Sequence, residues 1–432
     1  MVGPVRDPPL VSVIIATYNW SAALRLAIAS IQRQTMQDFE VLVVGDACTD
    51  DSQAVVEGLG DPRIRWSNLP VNCGCQQGPN NFGLAAARGE WIAYLGHDDI
   101  WAPRHLETTT AAARAAGCEV AVGGMIMYGP PGSGATRTAG IFAHGRCADK
   151  DFVPPSAMLH SRALIDRIGP WAAPDALRMP VDCDFFQRAH AASEVASTGE
   201  VTVFKFNATS RRNAYQIKST AEQEACLAGL ERGDRFIAEE LTKVVASAVA
   251  GDWYSIQLHE GEPGVLYRLN RMNKGVEPRY ADDQLHSLAH AERFGLEHEE
   301  TGFEWHPMEH SADFGAFRWT AGAERSTIEL PVRVDRPIAV RLHLLAVARE
   351  DALKDLVLLA QGVPIETRLQ RTSAGTWVVS GLIEPGKCAS PVPYVQVALS
   401  GITAVRPVDS GVHTDQRQLG VAVTWIEVAP AD

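Results

Sequence analysis

Asp98 and Asp99 stand side by side, next to His97, where the apolar run Trp91 to Leu95 ends. Hard oxygen donors at the tip of a strand suit Mg²⁺ or Mn²⁺. These ions take one or two protein carboxylates and fill their other positions with phosphate oxygens and water. The same pair would serve equally well to cap a helix starting near Ala102 and Pro103, because Asp is a favoured capping residue. A single carboxylate, Asp46, follows the apolar run Phe39 to Val44, and Thr17-Tyr18-Asn19 follow Leu10 to Ala16. Later in the chain, Asp182 and Asp184 precede a helical pattern starting at Phe185, and Arg211-Arg212-Asn213 follow Val201 to Phe206. His286 and His290 have i, i+4 spacing but no third ligand in view, and they read as surface residues. Cys73 and Cys75 form a C-x-C pair with no second pair to complete a zinc site, so they read as structural thiols.

The elements that must position these groups alternate in period. Leu10 to Ala16 is a continuous β-branched run, as expected of a strand covered on both faces. Ser21 to Gln34 shifts to helical spacing, Phe39 to Val44 is a second strand, and Asp50 to Leu59 a second helix. Ile64 to Trp66, Asn81 to Ala87 and Trp91 to Leu95 continue as strand, helix and strand. Repeated βα units predict an α/β fold with a doubly wound, mostly parallel sheet. Ligands on such sheets bind beyond the carboxyl ends of the strands. Thr17–Asn19, Asp46 and His97–Asp99 all fall at those ends, so topology alone brings them to one crevice.

The run Asn81-Phe82-Gly83-Leu84-Ala85-Ala86-Ala87-Arg88-Gly89-Glu90-Trp91, its apolar strand, and then Gly96-His97-Asp98-Asp99-Ile100-Trp101-Ala102-Pro103 resemble the core of the family-2 glycosyltransferases, inverting enzymes of GT-A fold. Val11 to Asn19, Gln34-Thr35 with Phe39 to Val44, and Gly45-Asp46-Ala47-Cys48-Thr49-Asp50-Asp51-Ser52 resemble the same family's opening segments, in the right order. The resemblance implies a nucleoside-diphosphate-sugar donor held by Thr17, Tyr18, Asn19 and Asp46. It places Asp98 near ribose and metal, makes Asp99 the main ligand of Mn²⁺ or Mg²⁺, and puts His97 in the pocket by position. It makes Asp182, with Asp184 as the alternative, the catalytic base, and aims Arg211 at the diphosphate. Gly45 and Gly96 stand where the family often has Asp, and Asn80 where Arg is frequent. A glycan or lipid-linked glycan acceptor in bacterial surface polysaccharide synthesis follows from the same resemblance.

Composition sets the outer bounds. With 39 Lys and Arg against 52 Asp and Glu, the net charge is −13, and no basic footprint for nucleic acid is present. No run of apolar residues is long enough to span a membrane, so membrane contact is expected to be peripheral at most. Scattered cysteines and an N-terminus without a secretory pattern suit a cytoplasmic protein. Homo-oligomerisation stays open. Residues 1–215 are expected to form the catalytic domain and 216–300 a helical extension and connector. The β-rich runs beyond residue 301 suggest an antiparallel sandwich accessory domain. Trp305, Trp319 and Trp377 there either fill a core or stack on sugars. Two rival readings are a nucleotidyltransferase, disfavoured by the loop Thr17–Trp20 that lacks Gly and Lys, and a glycan-binding scaffold with a decayed transferase domain.

Overall fold

The computed structural model describes residues 7–129, 134, 136–142, 147–148, 151–208, 211, 214–250, 263–274, 276, 279–296, 302–303, 305–306, 308–313, 315–320, 325–387, 393–405, 407 and 419–431. The chain forms two compact units, Met1–Gly129 with Gly134–Glu277, and Pro130–Ser133 with Pro278–Asp432.

The first unit opens with β1 (Val11–Thr17), α1 (Ser21–Gln32), β2 (Phe39–Gly45), α2 (Ser52–Gly58), β3 (Ile64–Asn68), α3 (Gln77–Ala86) and β4 (Trp91–Tyr94). It continues through β5 (Ile100–Trp101), α4 (His105–Ala116), β6 (Val120–Tyr128), β7 (Thr136–Ala139), β8 (Met158–Ser161), α5 (Ile165–Ile168), α6 (Val181–Ala192) and β9 (Val195–Phe206). Four helices follow: α7 (Ala214–Ile217), α8 (Ala221–Gly229), α9 (Asp234–Ala250) and α10 (Val265–Lys274). The sheet order is β3-β2-β1-β4-β8-β6-β9-β5, with β7 on β6. Its first half, β3 to β4, is wholly parallel, as the continuous apolar runs require. Beyond β4 the sheet is mixed: β8 runs antiparallel to both β4 and β6, while β6 and β9 are parallel. This is the GT-A-type α/β sheet expected from the sequence.

One charge is buried among these apolar strands. Glu40 of β2 accepts hydrogen bonds from Ser12 Oγ at 2.7 Å and from the Arg88 amide at 2.9 Å, and pairs with Arg65 at 2.7 Å. Burial alone would raise its carboxyl pKa; the hydrogen bonds and the arginines outweigh burial and hold it low.

The helices after residue 216, expected as a connector, belong to the first unit. Cys226, Leu227, Leu230 and Phe236 pack on Leu26, Ile100, Ile126 and Phe204. No helix among the described residues is long and apolar enough to cross a membrane.

The second unit is all β. One sheet contains β10 (Glu292–Gly295), β12 (Glu309–Ser311), β13 (Gly315–Trp319), β15 (Ile338–Val347), β18 (Arg368–Arg371), β19 (Trp377–Ile383) and β21 (Val421–Pro430). The other contains β11 (Gly302–Phe303), β14 (Arg325–Arg333), β16 (Val357–Ala360), β17 (Val363–Pro364) and β20 (Tyr394–Ser400). All named pairings are antiparallel, and Leu330, Val340, Leu342, Val397 and Val423 meet in one core. Trp305 and Trp377 pack against that core. His286 pairs with Glu292 at 2.8 Å.

Candidate active site

Thr17, Tyr18, Asp46, Asn80, His97, Asp98 and Asp182 all line one cavity of about 410 Å³ in the first unit. That is the size of an ordinary small-ligand site. Asn19, Asp99, Asp184 and Arg211 do not line it, and the contacts of each explain why.

Asn19 takes a left-handed turn after β1 with φ 45°. Its Oδ1 accepts from the Thr49 and Asp50 amides at 2.7 and 3.2 Å. It therefore ties the loop after β2 to the loop after β1 rather than meeting a ligand. The Asp46 amide donates to the Thr17 carbonyl at 2.8 Å. The Asp46 carboxylate accepts from the Cys73 and Gly74 amides at 2.6 and 3.0 Å. Burial raises its pKa, and those two amides oppose the rise. Gly74 is required here. Its φ is +76°, and a Cβ would lie 2.0 Å from the Arg271 guanidinium and the Tyr267 hydroxyl.

The acid pair follows β4. His97 Nδ1 donates to the Ala16 carbonyl at 3.1 Å, which leaves Nε2 as an acceptor. The two aspartates face different surroundings. Asp98 faces the cavity, whereas Asp99 is wholly buried. Asp99 accepts from Ser156 Oγ, from Lys205 Nζ at 3.0 Å and from the Phe206 amide at 3.1 Å. Burial pushes the Asp99 carboxyl up and Lys205 pulls it back, while burial would discharge Lys205 but Asp99 and Asp98 hold its pKa high. Asp99 is thus a buried anchor whose oxygens are already committed.

The replacement of family carboxylates by glycine has a steric cause. A Cβ on Gly96 would stand 2.8 Å from Asp99 Oδ2, and one on Gly45 would stand 2.5 Å from Asn68 Oδ1. Asn68 already holds the loop after β2, donating to the Cys48 carbonyl and accepting from its amide, both at 2.9 Å. Gly96→Asp should therefore not improve the site. It adds a third carboxylate against Asp98 and Asp99, and we expect metal and nucleotide affinity to fall by about 10-fold or more, measured by calorimetry.

Asp182 sits in the first turn of α6, and its Oδ1 accepts from the Cys183 amide at 3.1 Å. Burial raises its pKa, and Lys205 and Lys274 oppose the rise. A directional chain fixes the helix behind it. Phe185 stacks on Trp171 with ring centroids 4.3 Å apart. Trp171 Nε1 donates to the Tyr94 hydroxyl at 3.2 Å, and that hydroxyl donates to His160 Nε2 at 3.1 Å. His160 Nδ1 must carry the proton, because it faces the Ser161 carbonyl at 2.7 Å. Asp184, the alternative base, is paired with Arg188 at 2.7 Å and does not line the cavity. Arg211 is bound on both arms to Glu222 and also donates to the Asn207 and Tyr128 carbonyls. It does not line the cavity, and its neighbours Arg212 and Asn213 lie outside the described residues.

Sequence reasoning missed Lys205, Tyr215, Tyr267, Arg271 and Lys274, all of which line the cavity. Lys205 did carry a signal, as a lone cation inside the apolar strand β9. Three buried polar atoms at this cavity have no hydrogen-bond partner among the described residues: Thr17 Oγ1, Asn80 Nδ2 and His97 Nε2. Buried polar groups are normally completed by protein, ordered water or a ligand, so these three atoms are available to a ligand in the cavity. The Asp98 carboxylate is a hard oxygen donor of the kind that suits Mg²⁺ or Mn²⁺, with phosphate oxygens and water as further ligands. No cluster of three or more His, Cys, Asp or Glu suited to a metal occurs among the described residues.

The family model for glycosyl transferase family 2 matches residues 12–166. The first unit carries a family-2 glycosyltransferase domain. The succinoglycan biosynthesis protein ExoO of Rhizobium meliloti is 40% identical over 114 residues, 26% of this chain and 32% of that protein. A GalNAc(5)-diNAcBac-PP-undecaprenol beta-1,3-glucosyltransferase of Campylobacter jejuni is 41% identical over 96 residues, 21% of this chain and 30% of that protein. The chain thus spans about a third of the length of these curated relatives. Among solved structures, Staphylococcus aureus TarS 1-349 in complex with UDP-GlcNAc is 20% identical with a TM-score of 0.40, over 51% of this chain and 71% of that one. The glycosyltransferase match ends before Asp182, so the family-2 domain as matched holds only part of the cavity wall.

Proposed function

We propose that the protein is an inverting glycosyltransferase that moves a sugar from a nucleoside-diphosphate sugar to an acceptor hydroxyl. The observation that carries this reading is the cavity itself: Thr17, Asn80 and His97 present unpartnered buried polar atoms beside Asp98 and Asp182. The family-2 match supports the reaction class. Tyr18 and Tyr215, with ring centroids 6.1 Å apart, offer flat surfaces for a base. Asp98 would hold Mn²⁺ or Mg²⁺. Bound there, the ion would offset the charge of the diphosphate.

The protein's own side chains account for the rest. Asp182 accepts the proton of the acceptor hydroxyl as its oxygen bonds to the sugar's anomeric carbon. The bond from that carbon to the diphosphate breaks, its electron pair leaves with the nucleoside diphosphate, and one base on the face opposite the leaving group gives inversion. Lys205 keeps Asp99 neutralised and so holds the 96–99 turn in place. By analogy with the succinoglycan and undecaprenol-linked activities named for the two relatives, we infer a glycan or lipid-linked glycan acceptor in bacterial surface polysaccharide synthesis, at the cytoplasmic face.

The test is a thermal-shift panel of UDP, GDP, ADP, CDP and dTDP with and without Mn²⁺. Ligands that bind only the native state raise its melting temperature by mass action. Stabilisation by one nucleotide, deepened by metal, supports the reading. No shift with any of them at millimolar concentration overturns it.

A further inference from the structure

A diphosphate entering this cavity meets three carboxylates on its wall, Asp46, Asp98 and Asp182. Side-chain cations must answer them, and two of the available ones are already spent. Arg211 is bound by Glu222, and Lys205 is in contact with Asp99. Among the described residues that line the cavity, the other cations, Arg271 and Lys274, lie on α10, beyond the residues matched by the family model. Tyr267, Asn270, Arg271 and Lys274 recur at spacings of three and four, so they share one helical face, and all four line the cavity.

The position of α10 is fixed at several points. The Gly264 amide donates to the Leu177 carbonyl at 3.0 Å. The Tyr267 hydroxyl donates to the Cys73 carbonyl at 3.1 Å. The Arg271 guanidinium lies so close over Gly74 that no Cβ fits between them. One turn later, Lys274 Nζ stands 5.9 Å from the centre of the Tyr215 ring. Tyr215 in turn meets His97 edge-on at 5.7 Å. Burial, aided by the charge of Lys205, lowers the Lys274 pKa, and Asp98 and Asp182 oppose the fall without cancelling it. The ammonium therefore sits in the field of both groups expected to flank the reacting bond, at the C-terminal end of a helix, where a cation is favoured.

We infer that Lys274 binds the diphosphate of the nucleotide donor, with Arg271 on the same helical face completing a cationic wall. This rests on the donor-binding reading above. An ammonium hydrogen bond to phosphate is charge-assisted and strong in a desolvated site, so its loss should be felt by phosphate-bearing ligands and not by the nucleoside.

Titration calorimetry on wild type, Lys274→Met and Lys274→Arg tests this. The probes are the diphosphates of the panel, with the nucleoside corresponding to whichever one binds, in EDTA and again in Mn²⁺. Lys274→Met should weaken the diphosphate about 10- to 100-fold in both buffers. Nucleoside affinity should stay within about twofold of wild type, and Lys274→Arg should recover most of the loss. Unchanged diphosphate affinity in Lys274→Met overturns the inference and leaves the transferase reading standing. Equal losses for nucleoside and diphosphate overturn it too, by showing that the lysine only shapes the wall. A wild type that binds none of the diphosphates removes the donor reading and this inference with it.

Discussion

Asp98→Ala is expected to lower sugar transfer by about 10³-fold or more while leaving the fold intact, and Asp99→Ala to do the reverse. Asp98 turns its carboxylate to the cavity, and its fixed contact with the fold is through the main chain, where its carbonyl accepts from Gln223 Nε2 at 3.2 Å. Removing the carboxylate takes away a metal ligand, worth several kcal/mol at the transition state. It leaves the Gly96–Asp99 turn with all its supports. Asp99→Ala instead strands Lys205, 19% exposed, with no carboxylate in contact, and leaves Ser156 Oγ and the Phe206 amide without their acceptor. Breaking a buried pair on one side costs about 3–5 kcal/mol. Denaturant unfolding and transfer assays on the two variants separate these effects. An Asp98→Ala protein keeping more than a tenth of wild-type turnover would dismiss Asp98 as ligand.

Asp182→Asn should cut kcat by about 10²–10⁴-fold, the usual contribution of a positioned base, without weakening the nucleoside diphosphate by a comparable factor. The pH profile supplies an independent check. Burial raises the Asp182 carboxyl pKa, and the positive charges of Lys205 and Lys274 only partly oppose it. The base works only when ionised, so activity should climb with pH through a midpoint above the ordinary carboxylate value of about 3.9. The stability effect has the opposite sign. A carboxyl whose folded-state pKa is raised binds more protons folded than unfolded, so stability falls as pH rises through that window. Asp182→Asn removes this penalty and should make the neutral-pH protein slightly more stable while nearly inactive. A variant that loses activity and stability together would assign Asp182 a structural role instead.

The first four strands were legible because each is a continuous apolar run ending at a polar residue, and parallel topology gathers those ends whatever the details. The different burial of Asp98 and Asp99 was not legible. Which of two neighbours in a turn points inward is decided by Ser156 and Lys205, 57 and 106 residues away in sequence from Asp99. Arg211 misled because a cation after a strand reads as cavity-facing, yet Glu222, eleven residues on, captures it. Helix α10 was read as a polar connector with short helices, since a helix that turns its polar face toward a cavity has the same composition as a solvated one. In the second unit, β-rich runs beyond residue 301 made antiparallel strands legible, whereas their pairing order depends on contacts far apart in sequence.

The hydrogen bond from Tyr267 to Cys73 joins residues 194 positions apart. Closing so long a loop is entropically unfavourable until most of the unit is ordered. During synthesis the loop bearing Cys73 and Gly74 emerges early, but the helix that covers it must wait until residue 274 has left the ribosome. A nascent or truncated chain ending with the family-2 match would therefore carry the paired aspartates and no finished pocket. Competence for donor binding would arrive late, as nearly the last event in maturation of this unit.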